Sequence, residues 1–64
     1  MEDEKFNMSL RKFLKQVGVT SQQELERVVR EASLRGKGPL KVKMVLTAEG
    51  TGLTHTVEGQ IDLS

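Results

Sequence analysis

Two stretches of alternating apolar and polar residues, joined by a glycine-containing segment, constrain this chain more than any other feature. Every second residue from Leu40 to Ala48 is apolar, and a second alternation runs from Leu53 to Leu63. Alternation at period two is typical of strands that bury one face. The segment between them, Glu49-Gly50-Thr51-Gly52, is typical of a hairpin turn. The sequence therefore predicts an antiparallel β-hairpin with strands over residues 40–48 and 53–63.

The register of this hairpin follows from the side chains that each pairing brings together. With Gly50 and Thr51 at the tip of the turn, apolar residues of both strands share one face and charged residues share the other. A shift of one residue would move every side chain of one strand to the opposite face. Gly59 is predicted to leave room for a phenylalanine side chain of the helical segment. The predicted cross-strand pairs are Ala48–Leu53, Leu46–His55, Met44–Val57, Val42–Gly59 and Leu40–Ile61 on the apolar face, and Lys43–Glu58 and Lys41–Gln60 on the polar face.

Two apolar stripes with helical spacing precede the hairpin. The first ends before Gly18, a residue type favoured at the left-handed position after a helix. Capping-box spacings at Thr20–Gln23 and Ser21–Glu24 favour a second helix start. The sequence predicts helices over residues 4–17 and 21–35, followed by a glycine-containing linker. The stripe residues are Phe6, Leu10, Phe13, Leu14 and Val17 in the first helix and Leu25, Val28, Val29 and Ala32 in the second.

These elements predict an α+β fold in one domain over residues 1–64. Because an isolated two-stranded hairpin is marginally stable in water, we expect the two helices to pack on its apolar face in a two-layer ααββ arrangement. A chain of this size buries a small core, and the absence of cysteine excludes disulfides and thiolate metal sites. An efficient monomeric core and a homodimer both remain open as sources of stability.

The start of the sequence indicates where the protein resides. Met1-Glu2-Asp3-Glu4-Lys5 is acidic, whereas a secretory signal begins with a basic region that an apolar one follows. No segment has the length and apolar character of a membrane span. The cysteine-free composition fits a reducing compartment. We therefore expect a cytoplasmic protein without a membrane partner.

Residues with catalytic or ligand-binding chemistry are sparse in this sequence. His55 is the only histidine, and acid–base catalysis would need a nucleophile or a second titratable group beside it. We interpret it as a residue packed at the end of the sheet. The glycine-containing segments 36–38 and 50–52 precede no predicted helix and match no phosphate-binding loop. The prediction is a protein that is not an enzyme, with no catalytic residue, cofactor, metal or small-molecule ligand.

Basic residues on the predicted helices offer an alternative function. The net charge is +1, so the overall charge favours neither nucleic acid nor membrane. A local basic face would still suit contact with phosphates. Ion pairs at four-residue spacing, Glu26–Arg30 and Glu31–Arg35, would instead leave this face solvated. The residues of the alternative nucleic-acid face are Arg11, Lys12, Lys15, Arg27 and Arg30.

The segment from Phe6 to Gln22 resembles a family of short uncharacterised bacterial proteins, known as a domain of unknown function. The similarity also covers the Glu49-Gly50-Thr51-Gly52 turn and the Val57-Glu58-Gly59 run, and so extends over nearly the whole chain. The resemblance implies a bacterial, cytoplasmic, stand-alone protein. It implies neither an activity nor site residues.

Together these features favour a small non-enzymatic protein-interaction module. Both strands of a two-stranded hairpin have an unpaired edge, and such an edge invites pairing with another chain. We expect a protein partner, or a second copy of the chain bound through the hairpin edge. The alternative is a nucleic-acid-associated protein that uses the basic helical face.

Overall fold

The structure is a computed structural model that describes residues 3–64. Helix α1 spans Asp3–Glu31, strand β1 spans Leu40–Thr47 and strand β2 spans Thr54–Ile61. The chain divides into two compact units, Met1–Ser33 with the helix and Leu34–Ser64 with the hairpin. Met1 and Glu2 of the acidic start lie outside the described residues. The α+β class is confirmed, with one helix in place of the two that the sequence predicted.

The prediction of a helix break at Gly18 is wrong. Gly18 is not among the glycines with positive φ, and α1 continues through it without interruption. Neither Thr20 nor Ser21 begins a helix, and the Thr20 hydroxyl instead donates to the Gln16 carbonyl at 2.7 Å. A break would leave up to four N–H and four C=O groups without helical partners at each new end. A glycine inside a helix costs only about 1 kcal/mol relative to alanine, so the continuous helix is favoured.

Helix α1 ends four residues earlier than residue 35, where the sequence placed the helix end. The Ala32 N–H still donates to the Val28 carbonyl at 2.9 Å, but Ser33 adopts a left-handed conformation with φ 54°. A residue in that conformation stops the helical hydrogen-bond pattern. Gly36 and Gly38 follow with φ of 79° and 95°, which confirms the glycine-containing linker.

The hairpin has the predicted register over the whole length of both strands. Leu46 pairs with His55, Lys43 with Glu58, and Leu40 with Ile61 at the open end. Both strands are shorter than predicted. Strand β1 ends at Thr47 rather than at residue 48, and β2 spans Thr54–Ile61 rather than residues 53–63. The remaining pairs are Lys41–Gln60, Val42–Gly59, Met44–Val57, Val45–Thr56 and Thr47–Thr54.

The turn ends the strands through bonds around Thr51. The Ala48 carbonyl accepts hydrogen bonds from the Thr51 N–H at 3.3 Å and from the Thr51 hydroxyl at 2.7 Å. The same hydroxyl oxygen accepts the Leu53 N–H at 3.2 Å. Gly50 supplies the positive φ of 75° that the turn requires. These bonds use the backbone groups that would otherwise extend the ladder.

Most side chains of the described residues retain contact with solvent. Leu63, with 4 % of its surface exposed, is the one buried residue between Asp3 and Ser64. The packing of the helical segment on the apolar face of the hairpin stays a prediction, and so does the role of Gly59 in leaving room there for a phenylalanine. Between residues 3 and 64, no helix combines the length and the apolar character that crossing a membrane requires.

Candidate interaction surface

One face of α1 carries a continuous row of mostly apolar side chains, which we call the apolar stripe. Three turns of an α-helix contain 10.8 residues, so side chains eleven positions apart lie nearly one above the other. Phe6, Val17 and Val28 are related in this way, and so are Leu10 and Ser21; the charged Glu24 lies in the same row, eleven positions after Phe13. The stripe therefore keeps its direction across Gly18. Its members are Phe6, Leu10, Phe13, Leu14, Val17, Ser21, Leu25 and Val28.

The apolar stripe is largely exposed, above all in the N-terminal half of the helix. Phe13 exposes 47 % of its surface and Leu14 exposes 50 %. Towards the C-terminal half, Val17, Ser21 and Leu25 are half-buried, while Val28 is exposed. No residue of α1 between Asp3 and Glu31 is buried. An apolar row of this length, about 33 Å from Phe6 to Val28, is typical of a helix face that contacts another surface.

The five basic residues of the alternative nucleic-acid face lie in two separate groups on α1. Arg11, Lys12 and Lys15 lie within two turns, and all three are exposed. Arg27 and Arg30 begin about 18 Å further along the helix axis. Between residues 3 and 64, neither Arg11, Lys12 nor Lys15 has a carboxylate oxygen within salt-bridge distance. The structure thus brings together the first three residues and not all five.

Arg27 belongs to an ion-pair cluster on the helix surface. Its guanidinium contacts Glu24 Oε1 at 2.8 Å and Glu31 Oε1 at 3.0 Å. The hydrogen bond and the charge of Arg27 lower the pKa of Glu24, and the same contact raises the pKa of Arg27. The predicted pair Glu31–Arg35 does not form, because Arg27 binds Glu31 and the helix ends before Arg35. The predicted pair Glu26–Arg30 is also not formed, and Glu26 instead accepts a hydrogen bond from the Gln22 amide at 3.4 Å. Arg27 is therefore less available to a phosphate than the sequence indicated.

The hairpin presents a second, smaller apolar surface. Leu40, Val42 and Leu46 on the apolar face of β1 are half-buried, whereas Val57 and Ile61 of β2 are exposed. The two strands pair only with each other in the part of the chain that the structure describes. Each strand therefore has one edge on which no neighbouring strand binds its backbone groups.

The structure places His55 on the apolar face opposite Leu46, as predicted, but the residue is exposed rather than packed. Over residues 3–64, no three His, Cys, Asp or Glu side chains are grouped closely enough to hold a metal ion. Hydrogen bonds from the Ser64 hydroxyl and N–H lower the pKa of Asp62. Asp62 and Ser64 follow the end of β2, whereas His55 lies near its start, so these groups do not lie beside His55.

Sequence reasoning missed the part of the apolar stripe that joins its two halves. The sequence places the start of a second helix at Ser21, with Thr20 or Ser21 as its cap, although Ser21 lies eleven residues after Leu10 and eleven before Ala32. The eleven-residue spacing was the available signal, because it holds only if both halves belong to one helix.

Comparisons with known proteins add a family but no function. The model of a family of unknown function, DUF6494, matches residues 1–64. Searches of curated proteins and of solved structures gave no match.

Proposed function

The chain belongs to the family of unknown function DUF6494, and we propose that it is a small non-enzymatic protein-interaction module whose main contact surface is the apolar stripe of α1. The observation that carries this proposal is the exposure of the stripe over its whole N-terminal half. The bacterial origin and cytoplasmic location implied by the family resemblance are part of the same proposal.

The physical argument starts from the stability of the helix. A single helix gains little from its own hydrogen bonds in water, and most helices depend on the burial of an apolar face. The face of α1 that is available for burial is half-exposed at Phe6, Leu10 and Phe13. Transfer of such side chains from water contributes about 25 cal/mol for each Å² of apolar surface. A partner that covers the stripe therefore stabilises the helix and itself gains affinity.

The free edges of the hairpin supply a second contact surface for the same function. Another strand can pair with β1 or β2 through backbone hydrogen bonds, and self-association through this edge remains part of the proposal. Exposed Lys41 and Lys43 on β1 disfavour edge-to-edge pairing of two β1 strands, because like charges would approach. The edge of β2, which carries Thr54 and Thr56, has no such charge at those positions.

Site-specific cross-linking tests the proposal. A photoreactive phenylalanine analogue is placed at Leu10 on the stripe or at Met8, two positions away and about 200° around the helix. Both side chains are exposed, at 42 % and 65 %, so the two positions differ in direction rather than in access. The full chain is cross-linked in its native host, and adducts are identified by mass spectrometry.

We expect a defined protein adduct from position 10, either a second copy or another protein, and little from position 8. Equal adducts from the two positions, or none from position 10, would contradict a contact surface on the stripe. Adducts found only with a probe at Thr56 would move the contact to the hairpin edge.

The alternative, a nucleic-acid-associated protein, is favoured by one observation, namely that Arg11, Lys12 and Lys15 are exposed and unpaired among the described residues. A labelled duplex is titrated with the full chain at several salt concentrations. A phosphate-binding face predicts an affinity that falls steeply with salt and that Lys12→Gln and Lys15→Gln reduce. Lys43→Gln on the hairpin is the control. Absence of binding at low salt would reject this alternative.

A further inference from the structure

The segment directly after α1 departs from its own local sequence preference. The sequence predicts a helix to residue 35, and the segment Ala32-Ser33-Leu34-Arg35 contains no glycine or proline. In the structure α1 instead ends at Glu31, and Ser33 has a left-handed φ of 54°, a conformation that disfavours residues with a Cβ. A helix end at such a residue needs a compensating interaction elsewhere in the fold.

A compensating interaction joins Gly36 to Leu63. The Gly36 N–H donates to the Leu63 carbonyl at 2.8 Å, and Leu63 is the one buried residue among residues 3–64, with 4 % of its surface exposed. In a helix that continued to Gly36, the same N–H would donate to the carbonyl of Ala32, four residues earlier. One N–H cannot point at both carbonyls, so the Leu63 carbonyl competes directly with extension of α1.

Residues 62–64, which follow β2 and which we call the clasp, are held in a local turn. Oδ1 of Asp62 accepts hydrogen bonds from the Ser64 N–H at 2.9 Å and from the Ser64 hydroxyl at 2.6 Å. An aspartate side chain that binds the backbone two residues later fixes the conformation of the residue between them. Leu63 is that residue, so this turn sets the direction of the carbonyl that Gly36 contacts.

We propose that the clasp is one side of a conformational switch that sets the length of α1. With the clasp closed on Gly36, α1 ends at Glu31. With the clasp released, α1 continues through Arg35, which adds about 6 Å along the helix axis and gives Glu31 and Arg35 the four-residue spacing of an ion pair. Whatever takes up residues 62–64 lengthens the helix, and whatever binds the longer helix releases the clasp, because the two equilibria are linked. The switch does not depend on what contacts the apolar stripe.

Nuclear magnetic resonance of the isotope-labelled full chain tests the switch. The Cα chemical shifts of residues 32–35, and the coupling constant that reports φ of Ser33, distinguish the left-handed turn from a helix. Leu63→Ala removes most of a buried side chain, a change that typically shifts a conformational equilibrium by about 30-fold or more. We expect the chemical shifts of residues 32–35 to move towards helical values. The control is Val57→Ala, which truncates a residue of β2 that is 54 % exposed and should leave these shifts unchanged.

The reverse coupling is tested with the clasp sequence intact. Alanine at position 33 favours the helix, whereas glycine favours the left-handed turn. Ser33→Ala should therefore raise the helical chemical shifts of residues 32–35 and also move the methyl resonances of Leu63 towards those of an exposed leucine. Ser33→Gly should do neither. Contacts between the paired residues Met44 and Val57 report that the hairpin is retained in each variant.

Two results would overturn the switch. The first is a Leu63→Ala chain in which Ser33 keeps its left-handed φ, whether or not the hairpin remains folded. The second is a Ser33→Ala chain in which Leu63 stays as buried as in wild type, because helix extension and the clasp would then not compete. Neither result bears on the cross-linking at Leu10, so the switch and the proposed contact surface are judged separately.

Discussion

Gly18→Ala discriminates between the continuous helix of the structure and the two-helix arrangement that local sequence signals favour. Gly18 has a helical backbone, and a Cβ added to it would meet no atom within 4 Å outside the local helix. Alanine is better than glycine in a helix interior by about 1 kcal/mol, so the substitution should stabilise the protein by that amount. If Gly18 were a left-handed cap between two helices, alanine would instead cost about 1–2 kcal/mol.

The two arrangements thus predict opposite signs, separated by about 2–3 kcal/mol. Urea unfolding followed by circular dichroism at a fixed protein concentration measures the difference in the free energy of unfolding. In thermal unfolding of a chain of this size, 1 kcal/mol corresponds to about 4–8 °C in Tm. Hydrogen exchange of the amides from Val17 to Ser21 locates the effect in α1. We expect these amides to be protected as part of one helix.

The control is the same substitution at a glycine of positive φ. Gly36 has φ 79°, and Gly36→Ala should destabilise the protein by about 1 kcal/mol for steric reasons. Loss of stability in Gly18→Ala, similar to that in Gly36→Ala, would refute the continuous helix.

Three further predictions test other parts of the fold. Gly59→Val should stabilise the hairpin by about 0.5–1 kcal/mol in urea unfolding, because a Cβ at this position meets no atom within 4 Å and valine favours strands. Gly50→Val should destabilise the hairpin, because Gly50 has a φ of 75°. The opposite order of stabilities would contradict the turn geometry. Ser33→Gly should stabilise by about 1 kcal/mol through relief of the left-handed φ of 54°, and an unchanged midpoint would place the helix end elsewhere. Glu24→Gln should reduce the helical circular dichroism at neutral pH. Arg27 lowers the pKa of Glu24, so the stabilisation of the helix by this ion pair is present above the ordinary carboxyl pKa and is lost as pH falls through the lowered value. Wild type and variant should therefore have the same helical signal in acid. An effect of Glu26→Gln as large as that of Glu24→Gln would contradict the assignment of the ion pair.

The hairpin was predictable because its register depends on many residues that agree. Most pairs from Leu40–Ile61 to Leu46–His55 fit one division into an apolar and a polar face, with Val45 on the polar face as the apolar exception. A register shift of one residue would have moved every side chain of one strand to the other face. The strand ends were less predictable, because they depend on bonds such as the one from the Thr51 hydroxyl to the Ala48 carbonyl. Side-chain bonds of this kind leave no periodic trace in the sequence.

The helix was mispredicted because single residues were given more weight than the phase of the apolar stripe. Gly18, Thr20 and Ser21 each have a local preference for a helix end, worth about 1 kcal/mol. Continuity preserves all the backbone hydrogen bonds across this region, and it keeps Leu10 and Ser21 on one face. A stop signal inside a stripe that remains in phase over eleven residues on both sides is therefore weak evidence for a break.

The candidate surface was missed for the same reason. Two short helices can each turn an apolar face towards a hairpin, and the sequence was interpreted in that way. One helix about 43 Å long instead presents a single straight face, on which Phe6, Val17 and Val28 lie nearly one above the other. The continuity of α1 at Gly18 is thus the structural fact that joins the two predicted apolar stripes into one candidate surface.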